Sequence, residues 1–183
     1  MTKTLVGTGK CPRCGGESRV YQVENFPFPD DQQRWWEEEC DCGLRLERNR
    51  ISSNTTTSEI WVWEEEQRRQ HIKAVMATLP FPPGDGEDPT VVKEKVRQAI
   101  AQLPKADFPY LYLAIGEHRT REASWYEQDA RSWLPFPFAG DESPGMVDYR
   151  DNELRQSRIS EAACMRRIEQ IIAILREIER EKR

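Results

Sequence analysis

The sequence has no long apolar run, few histidines and no surplus of positive charge, and each shortage removes a class of function. No stretch approaches the ~20 consecutive apolar residues that a membrane-spanning helix needs, so no membrane role is expected. Only two histidines occur, His71 and His118, and general acid-base chemistry draws on that side chain more than on any other. His71 lies in a charged stretch that reads as an exposed helix face. His118, with Glu117 and Glu122 beside it, reads as a solvated charged turn. Nucleophile elbow, phosphate-binding glycine loop, HExxH and deaminase patterns are all missing, and no enzyme is expected. The formal net charge is −5 over 183 residues, 32% of them charged. That balance argues against free-standing, sequence-independent nucleic-acid binding, which depends on Lys and Arg neutralising phosphates. It leaves room for a local basic face. The opening residues MTKTLVGTGK carry no apolar signal segment, and a cytoplasmic protein is expected.

What the sequence does have is cysteine in a pattern. Four of its five cysteines fall in two pairs, Cys11-Pro-Arg-Cys14-Gly-Gly and Glu-Cys40-Asp-Cys42-Gly. Two sulfurs three positions apart bind one zinc ion when the loop turns tightly, and the glycines that follow permit the positive φ of such a knuckle. The second pair has one spacer residue instead of two. In an extended segment residues i and i+2 point to the same side, so Cys40 and Cys42 can still converge on a metal while Asp41 faces solvent. Cys-Pro-x-Cys is also a dithiol redox pattern, but that chemistry wants a buried strand before it and a helix after it. Here Gly15-Gly16 follows at once. The expectation is one structural Zn2+ held by Cys11, Cys14, Cys40 and Cys42, with no ligand position left open.

Between and after the pairs, Ser18 to Val23, Arg34 to Glu38 and Arg45 to Arg50 alternate in the period of short strands. Thr57 or Ser58 is expected to cap a helix running to about Leu79. Pro89, after Asp88, suits a first helical position, and Val91, Val92, Val96, Ile100 and Leu103 space as one apolar helical face. Phe108 to Trp133 fits a long helix better than the short buried strand that Pro109 to Ile115 alone would suggest. The region from about Asp148 to Arg183 is the clearest helix, with Ile168, Ile171, Leu175 and Ile178 stepping by three, four and three. That seam serves either packing within the chain or self-association. Cys164 falls on it as a small buried hydrophobe. A proline-aromatic phrase recurs at Phe26 to Pro29, Leu79 to Pro83 and Leu134 to Phe138, and is expected to stop helices.

The expected fold is therefore α+β. A small N-terminal zinc ribbon with four cysteine ligands occupies residues 9–56, a mainly α-helical body with Pro-rich connections 57–147, and a long amphipathic C-terminal helix 148–183.

Residues 10 to about 70 resemble the zinc ribbons of the Lar-type restriction-alleviation family of small phage and prophage proteins. The matching features are Cys11-Pro-Arg-Cys-Gly-Gly16, the aromatic strand at Trp35-Trp36 that enters the second pair, and Cys42-Gly43. Thr57-Ser-Glu-Ile-Trp-Val-Trp63 then runs into Arg68-Arg69, similar to the family's Glu- and Trp-containing helix. The single spacer at Asp41 and the longer insert between pairs depart from the family pattern. The resemblance implies a phage-borne protein acting on a host DNA-processing complex, with restriction-modification as the association.

Two uses of such a ribbon remain open, and a third class stands beside them. A protein partner suits the mixed charge around the cysteines. A nucleic-acid role would use Arg13, Arg19, Arg45, Arg48 and Arg50, with Trp35 or Trp36 for stacking. A virion structural or assembly component, its terminal helix packed on neighbours, fits the charged helix as well. The expected role is a non-enzymatic interaction protein bound to a host or phage nucleic-acid-processing complex, placed in the host cytoplasm if phage encoded, or in the virion.

Overall fold

In the computed structural model, which describes residues 1–81, 87–132 and 144–181, an N-terminal antiparallel sheet is followed by a mostly helical body. Strands β1 (Thr2–Lys10), β2 (Glu17–Phe28), β3 (Asp31–Cys40) and β4 (Arg45–Ser52) form a simple meander in the order β1-β2-β3-β4. Helices α1 (Thr55–Thr78), α2 (Pro89–Ala99), α3 (Phe108–Ser132) and α4 (Pro144–Glu181) follow, with a 3-10 turn at Lys105–Asp107 before α3. The α+β architecture with a long C-terminal helix is thus the observed one. No helix among the described residues is long and apolar enough to cross a membrane.

Two compact units divide the chain. One comprises Met1–Thr78 with Ile100–Ala114, and the other Leu79–Ala99 with Ile115–Arg183. In the first, every residue of β1 is exposed. Its pattern has no buried alternation, which is why the sequence did not announce it as a strand. A bulge at Val6 shifts its pairing with β2 between Leu5 and Gly7. Helix α1 is capped by Asn54 rather than by Thr57 or Ser58. The Asn54 Oδ1 accepts the Thr57 backbone N–H at 3.2 Å, which satisfies a donor that the helix start leaves orphaned. Ser58 instead ties the first turn to the sheet, its hydroxyl donating to the Ser52 carbonyl at 2.8 Å. In the same unit, Arg68 pairs with Asp107 at 3.2 Å and lies 4.2 Å from the Tyr110 ring centroid. The Tyr110 hydroxyl donates to the Glu47 carbonyl at 3.1 Å, so the start of α3 is fastened to β4.

The second unit has a conventional apolar core. Asp88 caps α2 through the Thr90 N–H at 2.8 Å, leaving Pro89 where a missing N–H costs nothing. Val92 and Val96 are fully buried while Val91 is 46% exposed, so it leaves the expected apolar face. Ile168, Ile171, Leu175 and Ile178 are all buried, and Cys164 with them. The seam that could have joined two copies is used inside the unit, where α2 and α4 pack together and Lys93 reaches Glu177 at 2.5 Å.

The proline-aromatic phrases have no common role. Phe26 to Pro29 ends β2 and opens the turn into β3, so it stops no helix. Leu79 to Phe81 does follow the end of α1. The copy at Leu134 to Phe138, like Pro82, Pro83 and Trp133, lies outside the described residues.

Candidate metal centre

The meander brings its first and third turns to one end of the sheet, and each carries a cysteine pair. In the first, the Cys11 N–H donates to the Gly16 carbonyl and the Gly15 N–H to the Cys11 carbonyl, both at 2.8 Å. In the second, the Cys40 N–H donates to the Leu44 carbonyl at 3.0 Å and the Gly43 N–H to the Cys40 carbonyl at 2.9 Å. The two closures are the same: a leading cysteine bonds the residue after a glycine of positive φ, and that glycine bonds back. Gly15 has φ 74° and Gly43 φ 83°, values that favour glycine. The difference is one residue between cysteine and glycine. Asp41 and Cys42 therefore lie in a turn, not in the extended segment expected, and the turn itself aims Cys42 back at the site.

The four sulfurs converge. Cys11 Sγ lies 3.7 Å from Cys42 Sγ, and Cys14 Sγ 3.5 Å from Cys40 Sγ. All four ligand atoms lie within 4.8 Å of one another. A tetrahedral ion with Zn–S bonds of ~2.3 Å sets its sulfurs about 3.8 Å apart, so Cys11, Cys14, Cys40 and Cys42 lie close enough to hold a metal ion. Four thiolates at tetrahedral spacing leave no position for water or substrate.

The thiols differ in their surroundings. Cys11 is 1% exposed, and burial pushes its thiol up to about 12. Burial also raises Cys42. Cys14 is exposed, and the Gly16 N–H, 3.4 Å from its sulfur, helps bring it down to about 7. A bound cation favours the thiolate at all four positions. Arg13, between the first two ligands, is buried at 8% exposure. Its Nη1 donates to the Cys42 carbonyl at 3.0 Å, and its guanidinium lies 5.9 Å from the Tyr112 ring centroid. It ties one knuckle to the other and both to α3.

No protein-family model matches the chain, and no curated protein or solved structure matches it either. What the centre is for must come from the residues around it.

Those singled out for nucleic acid do not form one surface. By register, Arg19, Glu39 and Arg45 share one face of the sheet with Trp35, whereas Trp36 and Arg48 lie on the other with Glu38. An extra residue in β4, where Asn49 has φ 54°, shifts the register between Arg48 and Ile51 and re-aims Arg50. The Arg50 guanidinium lies 5.7 Å from the Trp35 ring centroid and 5.4 Å from that of Trp61 in α1. Each of these arginines has a carboxylate: Arg19 with Asp41 at 2.5 Å, Arg45 with Glu39 at 2.8 Å, Arg48 with Glu38 at 3.1 Å, and Arg50 with Glu47. Trp35 donates its indole N–H to Glu37 at 2.9 Å. Burial works to raise the Glu37 carboxyl, but hydrogen bonds from Lys3 and Trp35 outweigh it and hold the group below its usual value. Sequence reasoning missed the Asn49 bulge and the latch formed by Arg50, Trp35 and Trp61. An asparagine amid a charged strand was the only signal for them.

Of the histidines, His118 lies on α3 rather than in a turn, its Nδ1 3.7 Å from Glu122. His71 is exposed. His118 packs its ring 4.2 Å from that of Phe81, and burial lowers its pKa.

Proposed function

We propose that this chain is a non-enzymatic interaction protein in which a four-cysteine zinc centre holds the sheet together and the partner is a protein of a nucleic-acid-processing complex. The observation that carries this reading is the pairing of the sheet's arginines. Arg19, Arg34, Arg45, Arg48 and Arg50 each meet a carboxylate, so the charge that would neutralise phosphates is already matched. Large apolar side chains of the same sheet, Phe26, Phe28, Trp36 and Ile51, are 36–70% exposed, a distribution that suits protein contact. The donor set supports zinc, whose structural sites include four-cysteine sets. The resemblance of residues 10–70 to restriction-alleviation ribbons supplies the partner class, with phage origin and an anti-restriction role as parts of the proposal.

The test is affinity purification of the zinc-loaded chain from host cells, with mass spectrometry of the co-purifying proteins. A restriction or other DNA-processing complex is the expected result. Tight binding to duplex or single-stranded DNA that falls steeply with salt would overturn the reading in favour of a nucleic-acid ribbon. Stoichiometric recovery in purified phage particles would replace it with an assembly role.

A further inference from the structure

The first turns of α1 break the rule by which helices bury their apolar side. Ile60, Trp61, Val62 and Trp63 are consecutive, so at 3.6 residues per turn their side chains surround the helix. Trp61 is used within the unit, where the Arg50 guanidinium lies over its ring. Ile60 is 52% exposed, Val62 66% and Trp63 64%. Ile60 and Trp63 are three positions apart and form one apolar face directed away from the side that carries Trp61, Arg68 and the buried Ile72 and Val75. A helix apolar on all sides is ordinarily covered on all sides.

The charges beside this turn select what covers it. Glu59 flanks it on one side and Glu64 on the other, where Glu64 borders the groove lined by Arg50, Trp61 and Arg68; neither has an ion-pair partner among the described residues. Glu66, the next acidic group on the outward side, is engaged by Arg69 at 3.0 Å. A second copy is disfavoured: pairing this face with its own copy gathers the unpaired carboxylates of Glu59 and Glu64 from both copies along one seam, like charge on like. Anionic lipid and nucleic acid meet the same carboxylates. What remains complementary is an apolar protein surface edged with lysine and arginine, into which the helix lays Ile60 and Trp63.

We propose that the start of α1 is a docking helix for a protein partner whose apolar groove has a basic rim, with Trp63 as the anchor and Glu59 and Glu64 as the charges that orient it. This deepens the interaction reading above and rests on it for the existence of a partner, but the surface can be tested without knowing that partner.

The probe is a labelled amphipathic helical peptide of leucine and lysine, titrated against the full zinc-loaded chain, with a leucine and glutamate peptide as its opposite. The lysine peptide is expected to bind, and Trp63→Ser to weaken it about tenfold, as truncating an aromatic anchor does. The Glu59→Lys and Glu64→Lys double variant should weaken it similarly and gain the glutamate peptide. Because these side chains are exposed, metal content and melting temperature serve as controls and should not move. Equal binding of both peptides overturns the proposal, as does unchanged binding by Trp63→Ser and Ile60→Ser. So does sedimentation showing a wild-type dimer that Trp63→Ser dissociates, which would make a second copy the occupant. Failure of the two readings is distinguishable. A cellular complex captured equally by wild type and Trp63→Ser overturns this surface alone, whereas selective peptide binding without any captured complex overturns the functional reading alone.

Discussion

The four strands bury only Val23, Cys40 and Leu46 among their apolar side chains, whereas α4 alone buries five isoleucines, Leu175 and Cys164. The contrast shows two ways of offsetting the entropy of an ordered chain. In the second unit the hydrophobic effect suffices, since each fully buried aliphatic side chain contributes ~1.5–3 kcal/mol. The sheet has too little apolar surface for that. It has four thiols placed to hold a metal cross-link at one end, paired charges such as Lys3 with Glu37 and Glu39, and side chains that fasten it to α1 and the start of α3.

Removing the cross-link should have the largest effect. A structural zinc site contributes apparent free energy of order 10 kcal/mol at neutral pH. Cys40→Ser, or chelation of the wild type, is expected to abolish stoichiometric metal and to remove amide protection from β2 and β3. The amides of α4 should stay protected. Metal analysis beside hydrogen exchange reads both. Equal zinc in variant and wild type would rule out the four-cysteine centre.

The reverse cut is made in the second unit. Ile171→Ala or Leu175→Ala, each at 0% exposure, should cost ~2–5 kcal/mol through lost burial and the cavity left behind. Melting followed in the helical signal should shift down with zinc content unchanged. Arg13→Ala comes next. It removes a buried donor from the Cys42 carbonyl and should cost ~1–3 kcal/mol, confined to the sheet unit and visible as faster metal loss to a chelator.

Acid separates the units by smaller amounts, and in both the sign is the same. Burial holds His118 below its ordinary 6.5, so its contribution is present above that value and fades as pH falls past it. Asp31 is held below 3.8 chiefly by the Ser52 hydroxyl, so its contribution is present above 3.8 and fades in stronger acid. His118→Phe should flatten the upper part of the melting-temperature profile, and Asp31→Asn the lower. Smallest of all on stability, within about 0.5 kcal/mol, should be Trp63→Ser.

These differences bear on what was legible beforehand. The helical unit could be read from spacing because Ile168, Ile171, Leu175 and Ile178 are buried at the positions their period implies. The cysteine set was equally legible, since few chemistries want thiols in that arrangement. The sheet was harder. Thr2–Lys10 shows no alternation because neither face of β1 is covered. Thr57 and Ser58 looked like caps, but Asn54 captured the helix start and Ser58 was drawn to Ser52. The arginines and tryptophans looked like one surface because sequence proximity hides which face of a strand a side chain takes. Trp35 and Trp36, like Arg45 and Arg48, alternate between faces, and left-handed Asn49 then re-aims Arg50.

The matching closures around Cys11 and Cys40 have a consequence for how such sites change over time. Both turns are anchored outside the spacer, by the leading cysteine and the glycine pair in one and by Cys40, Gly43 and Leu44 in the other. The backbone bonds therefore fix the endpoints of each turn, and the second cysteine still reaches the other sulfurs with a residue gained or lost between them. Spacer length can drift by insertion and deletion while the centre persists, and descent traced by a fixed cysteine interval will lose such lineages at the point where the interval changes.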